Sequence, residues 1–261
     1  MTATSATTTA GSDVVFVAAS GIDVGNPLSA GLAARGSRVA LIDDAGSAAG
    51  GDSFEGPGKA GSVARVPATF GSRADVSRAF DAARDRLGPP RLVVLSVIPR
   101  SLMTPRHIDQ LPVEDWQTSV HGAMKAMLYG LQAAHAQMTS CGGGTIVCLG
   151  PSFGLVGAAN LVALSTLLEA QRALIKSAAR QWGHRGIRAH WIALGVGENY
   201  PELRGVGLPE GPELGPPPTP LGRVPSLTED VAAIAEFLAG DGGRGLTGIS
   251  LVADGGDWMV P

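Results

Sequence analysis

The feature that most constrains the fold of this chain is a regular alternation of short apolar runs with longer helical segments. Seven runs rich in Val, Ile, Leu and Ala predict strands at residues 14–18, 38–42, 62–67, 92–97, 145–149, 188–193 and 249–252. Runs that are apolar at nearly every position are typical of strands buried on both faces. Five intervening segments predict helices at residues 27–35, 73–87, 113–139, 161–183 and 228–239. This alternation indicates an α/β fold, a doubly wound seven-stranded parallel sheet in a single domain.

Composition narrows the classes of partner. The chain has 261 residues, a net charge of −3 and 44% apolar residues, which fits one sizeable domain with a real core. A pI of about 5.9 predicts no nucleic-acid partner, and no apolar run is long enough to predict a membrane span. Residues 1–12 predict a disordered lead-in without signal-peptide character, followed by a domain over 13–261. Two cysteines in no metal-binding or disulfide pattern predict no metal and a cytoplasmic location.

The segment "VVFVAASGIDVGNP", residues 14–27, has the strand–turn–helix layout of a dinucleotide phosphate loop. Such a loop binds a pyrophosphate through helix N-terminal amides and needs close approach of the backbone. Asp23 instead places a carboxylate where the negative phosphate would lie, and it can cap the following helix itself. We therefore expect a helix-capping turn that holds no phosphate.

Three longer stretches carry a family resemblance. "VEDWQTSVHGAMKAMLYGLQAAHAQM", "GGGTIVCLGPSFGLVGA" and "PLGRVPSLTEDVAAIAEFLAGDGGRGLTGISLVADGG" are similar to the central helix, the fifth strand and the C-terminal region of short-chain dehydrogenase/reductases. The resemblance runs from about Asp13 to Val260. It implies a Rossmann-like sheet and, in ordinary members of the family, hydride transfer with NAD(H) or NADP(H).

At most positions where that family binds its cofactor, this chain has a different residue. The family's Thr-Gly-x-x-x-Gly-x-Gly loop corresponds here to Ala18, Ala19, Asp23 and Gly25. Gly25 and Asp43, the latter at the family's ribose-binding acidic position, are the remnants. The resemblance therefore implies a vestigial cofactor site, and we expect no bound cofactor.

The four catalytic positions of the family are replaced as well. Its Asn, Ser, Tyr and Lys correspond to Ala123, Pro151, Leu164 and Leu168. In the family the Lys lowers the pKa of the Tyr, and the Tyr transfers the proton. None of the four replacements has a titratable proton, so we expect no ordinary hydride transfer.

The two long helices keep wide apolar stripes, which in this family form subunit interfaces. The resemblance implies a homo- or hetero-oligomer. The first hypothesis is a non-catalytic subunit that pairs with an active short-chain dehydrogenase, of the kind that acts on hydroxyacyl thioesters, so that an acyl thioester is a possible ligand.

The second hypothesis is a cofactor-independent enzyme that catalyses a cyclisation, dehydration or isomerisation. A cleft lined by Leu164, Leu168 and Ile98 would hold a small apolar substrate. Its candidate polar groups, all near the replaced positions or the following loop, are His121, Ser152, Ser165, Glu198 and Tyr200. A third hypothesis is a module that binds another ligand without chemistry.

Overall fold

The computed structural model describes residues 13–44, 61–203 and 219–259. The predicted strands are present with small shifts at their ends. Their bounds are β1 Val14–Gly21, β2 Arg38–Asp44, β3 Val63–Ala68, β4 Leu92–Ile98, β5 Gly144–Pro151, β6 Ile187–Leu194 and β7 Ser250–Ala253. They form a single sheet in the order β3-β2-β1-β4-β5-β6-β7. Every pair is parallel, which confirms the doubly wound seven-stranded sheet.

The strand order reverses between β1 and β4, and this switch point positions the site. Ala19 pairs with Asp43 on β2, whereas Gly21 pairs with Ile98 on β4. The carboxyl ends of these strands therefore open a crevice at one edge of the sheet, where ligands of such folds bind.

The helices connect the strands on both faces of the sheet. Their bounds are α1 Gly25–Ala34, α2 Arg73–Leu87, α3 Val113–Trp116, α4 Gly122–Ser140, α5 Phe153–Val156, α6 Val162–Trp182 and α7 Ala232–Ala239. The central segment, predicted as one helix over 113–139, is α3 and α4 joined by a π turn over Gln117–His121. A second π turn, Leu227–Val231, leads into α7 in the same way. The short helix α5 was not predicted.

Close packing of α1 on the sheet explains the glycine that the phosphate-loop pattern retains. A Cβ at Gly25 would lie 2.8 Å from Cδ1 of Leu41 and 3.0 Å from Cβ of Ala19. Contacts this short force a shift of the helix, so Gly25 is required by helix–strand packing whether or not a phosphate binds. Gly31, later in the same helix, lies close to the backbone of Thr228, where α1 packs on the π turn Leu227–Val231.

The N-terminal segment predicted to be disordered, residues 1–12, lies outside the described residues. The described part of the chain forms one sheet with one contiguous hydrophobic core, which confirms the single domain. Among the helices of that part, none is long and apolar enough to cross a membrane.

Candidate functional site

The turn between β1 and α1 is stabilised by two carboxylates. Oδ1 of Asp23 accepts the backbone N–H of Asn26 at 3.2 Å and its side-chain amide at 2.8 Å. Oδ2 of Asp44 accepts the Ser20 hydroxyl at 2.8 Å and the Gly21 N–H at 3.3 Å. Asp23 therefore caps the first turn of α1, as the sequence predicted. The Gly21 and Asn26 N–H groups and the Ser20 hydroxyl are thus bonded to carboxylates of the chain itself.

An ionic network extends from this turn across the edge of the sheet. The Arg65 guanidinium of β3 forms an ion pair with Asp43 and donates to Oδ1 of Asn26. Burial raises the pKa of the Asp43 carboxyl, and the positive charge of Arg65 opposes this shift. Asp43, which the resemblance matches to the family's ribose-binding position, is thus bonded within the protein. Arg65 and Asp44 were not predicted from the sequence.

The side chains at the four positions that the resemblance matches to the family's catalytic residues are buried. Ala123, Leu164 and Leu168 are 3%, 0% and 1% exposed, and Pro151 is buried at the end of β5. A Cβ placed at Gly150 would lie 2.6 Å from Cδ2 of Leu168, so this leucine packs tightly on β5. These positions contain no group that exchanges a proton.

The prediction of a cleft lined by Leu164, Leu168 and Ile98 is wrong for two of these three residues. Ile98 is fully buried, and Leu168 is covered by its packing against β5. Both side chains are part of the core, because apolar groups of this size gain more from contact with protein than from lining an open cavity. Leu164 alone of the three lines one of the cavities described below.

The other candidate residues are not brought together. Tyr200 is fully buried, its hydroxyl has no hydrogen-bond partner among the described residues, and burial raises its pKa far above the ordinary value. Ser152 and Ser165 are buried, and no partner is present for the Ser165 hydroxyl within the described chain. His121 is exposed at the end of the π turn. They do not form a catalytic constellation.

Two cavities that are lined by described residues flank the carboxyl edge of the sheet. The larger, of about 410 Å³, lies between the β1–α1 turn, the segment after β6 and the residues that lead into α7. It is lined by Ile22, Asp23, Pro27, Arg100, Glu198, Asn199, Pro201, Glu202, Val224, Ser226, Leu227 and Thr228. The smaller, of about 300 Å³, lies at the start of α6. It is lined by Ser101, Leu102, Thr104, Arg106, Leu111, Asp115, Ser119, Asn160, Leu161, Val162, Ala163 and Leu164.

Of the five polar candidates, Glu198 lines the larger cavity, and the other four line neither of the two. No group of three or more His, Cys, Asp or Glu side chains within residues 13–44, 61–203 and 219–259 is arranged to hold a metal ion. The larger cavity is therefore the one of the two that contains a predicted polar candidate, Glu198.

Comparison with known proteins identifies the family. The family model described as Enoyl-(Acyl carrier protein) reductase matches residues 18–257, nearly the whole chain. The chain belongs to the short-chain dehydrogenase/reductase family. As a member of this family it is 27% identical to D-threitol dehydrogenase of Mycolicibacterium smegmatis over 243 residues, 93% of this chain and 91% of that protein. It is 29% identical over 160 residues to diacetyl reductase [(S)-acetoin forming] of Staphylococcus aureus, 57% of this chain and 61% of that protein.

Solved structures of this family share the fold. A short-chain type dehydrogenase/reductase from Mycobacterium ulcerans has a TM-score of 0.76 at 24% identity, covering 94% of this chain and 89% of that one. The 3-ketoacyl-(acyl-carrier-protein) reductase from Brucella melitensis, solved with NADH, has a TM-score of 0.77 at 18% identity, covering 96% of this chain and 100% of that one. At these identities the likeness establishes the fold of this short-chain dehydrogenase/reductase and not its activity.

Proposed function

We propose that this chain is a non-catalytic subunit of a hetero-oligomeric short-chain dehydrogenase, and that an active partner subunit supplies the chemistry. The observation that carries the proposal is the burial of Ala123, Pro151, Leu164 and Leu168 at the family's catalytic positions. The relatives are named as dehydrogenases and reductases, and the same chemistry here would need a group that exchanges a proton with the substrate. The four replacements offer none.

The geometry of the β1–α1 turn supports the second part of the proposal, that the chain binds no dinucleotide. The Gly21 and Asn26 N–H groups are bonded to the carboxylates of Asp44 and Asp23. A pyrophosphate would have to displace both, and its charge would lie beside theirs at a cost of several kcal/mol. The side chains present therefore do not fit NAD(H) or NADP(H).

Retention of the fold supports a structural role. Short-chain dehydrogenase/reductases commonly form oligomers, and the long helices α4 and α6 present partly exposed apolar side chains, Leu128 and Leu174 among them. We propose that these helices contact the partner, and that the assembly acts on a hydroxyacyl thioester in the cytoplasm. The match to the acyl-carrier-protein reductase model is in keeping with that substrate class.

Native mass spectrometry of tagged protein purified from its own host tests the assembly. We expect a mixed complex that contains this chain and a second short-chain dehydrogenase with Tyr and Lys at its own catalytic positions. Recovery of a homo-oligomer alone would contradict the partner hypothesis.

Isothermal titration with each of NAD⁺, NADH, NADP⁺ and NADPH tests the cofactor hypothesis separately. We expect no saturable heat with the isolated chain, because the Gly21 and Asn26 N–H groups of the β1–α1 turn are bonded to carboxylates. A dissociation constant in the micromolar range for any of the four would overturn this part of the proposal.

A second candidate function, a cofactor-independent enzyme, is favoured by one observation: Glu198 lines a cavity of about 410 Å³. A carboxylate at the wall of a cleft can act as a base in a dehydration or isomerisation. If a purified homo-oligomer converts a substrate, replacing Glu198 by Gln should abolish turnover, whereas replacing exposed His121 by Gln should leave it unchanged. Full turnover by the Glu198 variant would exclude this role.

A further inference from the structure

The two long helices α4 and α6 carry a charge opposite in sign to that of the whole chain. The chain has a net charge of −3, yet residues 122–140 and 162–185 contain five Lys or Arg residues and one carboxylate. The basic residues are Lys125, Arg172, Lys176, Arg180 and Arg185. The carboxylate, Glu169, forms an ion pair with Arg172 on the same helix. These helices therefore have a basic face, whose positive charge their own residues do not balance.

The positive charge of the basic face is open to a partner. Lys125, Lys176 and Arg180 are exposed, and none of the three forms an ion pair with a described residue. At the far end of the face, Nη1 of Arg185 lies 3.3 Å from Nε2 of His135. Burial, and then the positive charge of Arg185, lower the pKa of His135. The face is thus positive on both helices.

Apolar side chains accompany these cations. Leu128, three residues after Lys125 and so on the same side of α4, is 41% exposed, and Leu174 of α6 is partly buried. The rings of His135 and Trp182 lie 4.6 Å apart, which joins α4 to the end of α6 in one surface. Exposed apolar groups combined with charged groups at their rim are typical of a protein–protein interface.

The charge of this face disfavours a second copy of the chain as its partner. In a twofold contact between two copies, the same surface is present on both sides. The exposed cations of one copy would then meet the cations of the other, and Glu169 is already paired. Bringing like charges together and removing them from water are both unfavourable. The basic face therefore suits a surface that carries carboxylates.

We propose that the basic face binds a different protein subunit, whose contacting surface is rich in Asp and Glu, so that charge selects the mixed assembly over a homo-oligomer. The proposal rests on the proposed function, because it names the property by which this chain recognises its active partner. Complementary charge across such a contact speeds association and disfavours wrong partners.

A charge-reversed copy of this chain serves as a probe for an acidic partner. The variant Lys125→Glu, Lys176→Glu, Arg180→Glu presents three carboxylates in place of three cations. We expect the parent and this variant, carrying tags of different mass, to form a mixed dimer in native mass spectrometry. Its affinity should be about tenfold higher than that of any self-association of either chain, and it should fall as salt is raised.

A matched control separates the face from the overall charge. The variant Arg73→Glu, Arg78→Glu, Arg244→Glu makes the same change of charge at exposed positions outside α4 and α6, and it should not pair with the parent. The six replaced residues are all exposed, so both variants should fold, and circular dichroism checks this. Absence of the mixed dimer, a parent self-dimer of equal affinity, or equally tight pairing of the control would each overturn the proposal.

Purification of tagged chains from the host separates this inference from the proposed function. The parent and the control should recover the partner subunit, and the charge-reversed variant should lose it. A partner retained equally by the charge-reversed variant would contradict this inference alone. A parent that pairs with its charge-reversed copy but recovers no partner from the host would contradict the proposed function alone.

Discussion

At the residue scale, the two leucines of α6 allow a direct test of how far the family's chemistry is lost. Leu168 is 1% exposed and packs on β5, so a Lys at this position would be buried beside apolar side chains. We expect the free energy of unfolding of the double variant Leu164→Tyr, Leu168→Lys to be about 3 kcal/mol lower than that of the parent, because a buried cation without a partner is destabilising. We also expect it to oxidise no NADH.

Urea unfolding and an NADH oxidation assay measure the two effects. Thr166→Lys, at an exposed position of the same helix, is the control and should leave stability nearly unchanged. Detectable NADH oxidation by the double variant would mean that the β1–α1 turn is less damaged as a cofactor site than its two carboxylates indicate.

A buried histidine predicts how stability depends on pH. His190 lies on β6 and is fully buried, and neither ring nitrogen has a hydrogen-bond partner among the described residues. Burial, with a smaller contribution from the nearby Arg188, lowers its pKa from 6.5 to about 4. The unfolded chain therefore binds a proton more readily than the folded one. The stabilisation by neutral His190 is complete above about pH 6.5 and is lost as the pH falls toward 4.

We expect the free energy of unfolding to fall by up to about 3 kcal/mol across this window from His190 alone. His190→Leu should flatten the pH dependence between pH 6.5 and 4, and His107→Gln, at an exposed position, should not. Urea unfolding at a series of pH values measures both. An unchanged slope in His190→Leu would assign the acid sensitivity to other groups.

Residue identities could be predicted to matter from the sequence, whereas ion pairs between residues far apart in the chain could not. The absence of a titratable group at Leu164 and Leu168 was visible in the sequence, since it depends on residue identity alone. The partner of Asp43 was not. Arg65 lies 22 positions from Asp43, and only the pairing of β3 with β2 brings the two together.

At the element scale, the local signals were sufficient for most helices and strands. Helix α2 was predicted with its bounds unchanged, because Ser72 caps its first turn and Gly88, with a φ of +92°, ends it. The π turns before α4 and α7 were missed. Their side chains follow a helical pattern, and one extra residue in a turn leaves little trace in apolar periodicity.

The β1–α1 turn provides a prediction at this scale. Asp44 accepts from both Ser20 and Gly21, so it holds the end of β2 against the turn. We expect Asp44→Ala to lower the free energy of unfolding by about 1–2 kcal/mol, because two donors lose a charged acceptor. The matched control is Asp109→Ala in an exposed 3₁₀ turn. Equal stability of the two variants in urea would show that the turn does not depend on this carboxylate.

At the scale of the whole molecule, the fold of the family is retained. The sheet and its order follow from the alternation of apolar runs, which is why they could be predicted from the sequence. The cavities could not, since each collects side chains from three or more separate segments. The prediction of a cleft at Leu168 and Ile98 was wrong for this reason. Apolar residues beside a site are compatible with an open pocket or with a packed core, and the sequence alone does not distinguish the two.

One surface that we propose for the contact with a partner is the outer face of α4. Leu128 is 41% exposed there, and Met124, one turn earlier on the same face, is half-buried. If this face is buried in an assembly, Leu128→Arg places a charge in an apolar contact and should dissociate the complex in native mass spectrometry. Ile108→Arg, at a position that is 75% exposed in the 3₁₀ turn Ile108–Gln110 and outside the bounds of both long helices, adds the same charge and should leave the complex intact. An unchanged mass distribution for Leu128→Arg, with the parent chain oligomeric, would place the interface on another face of the molecule.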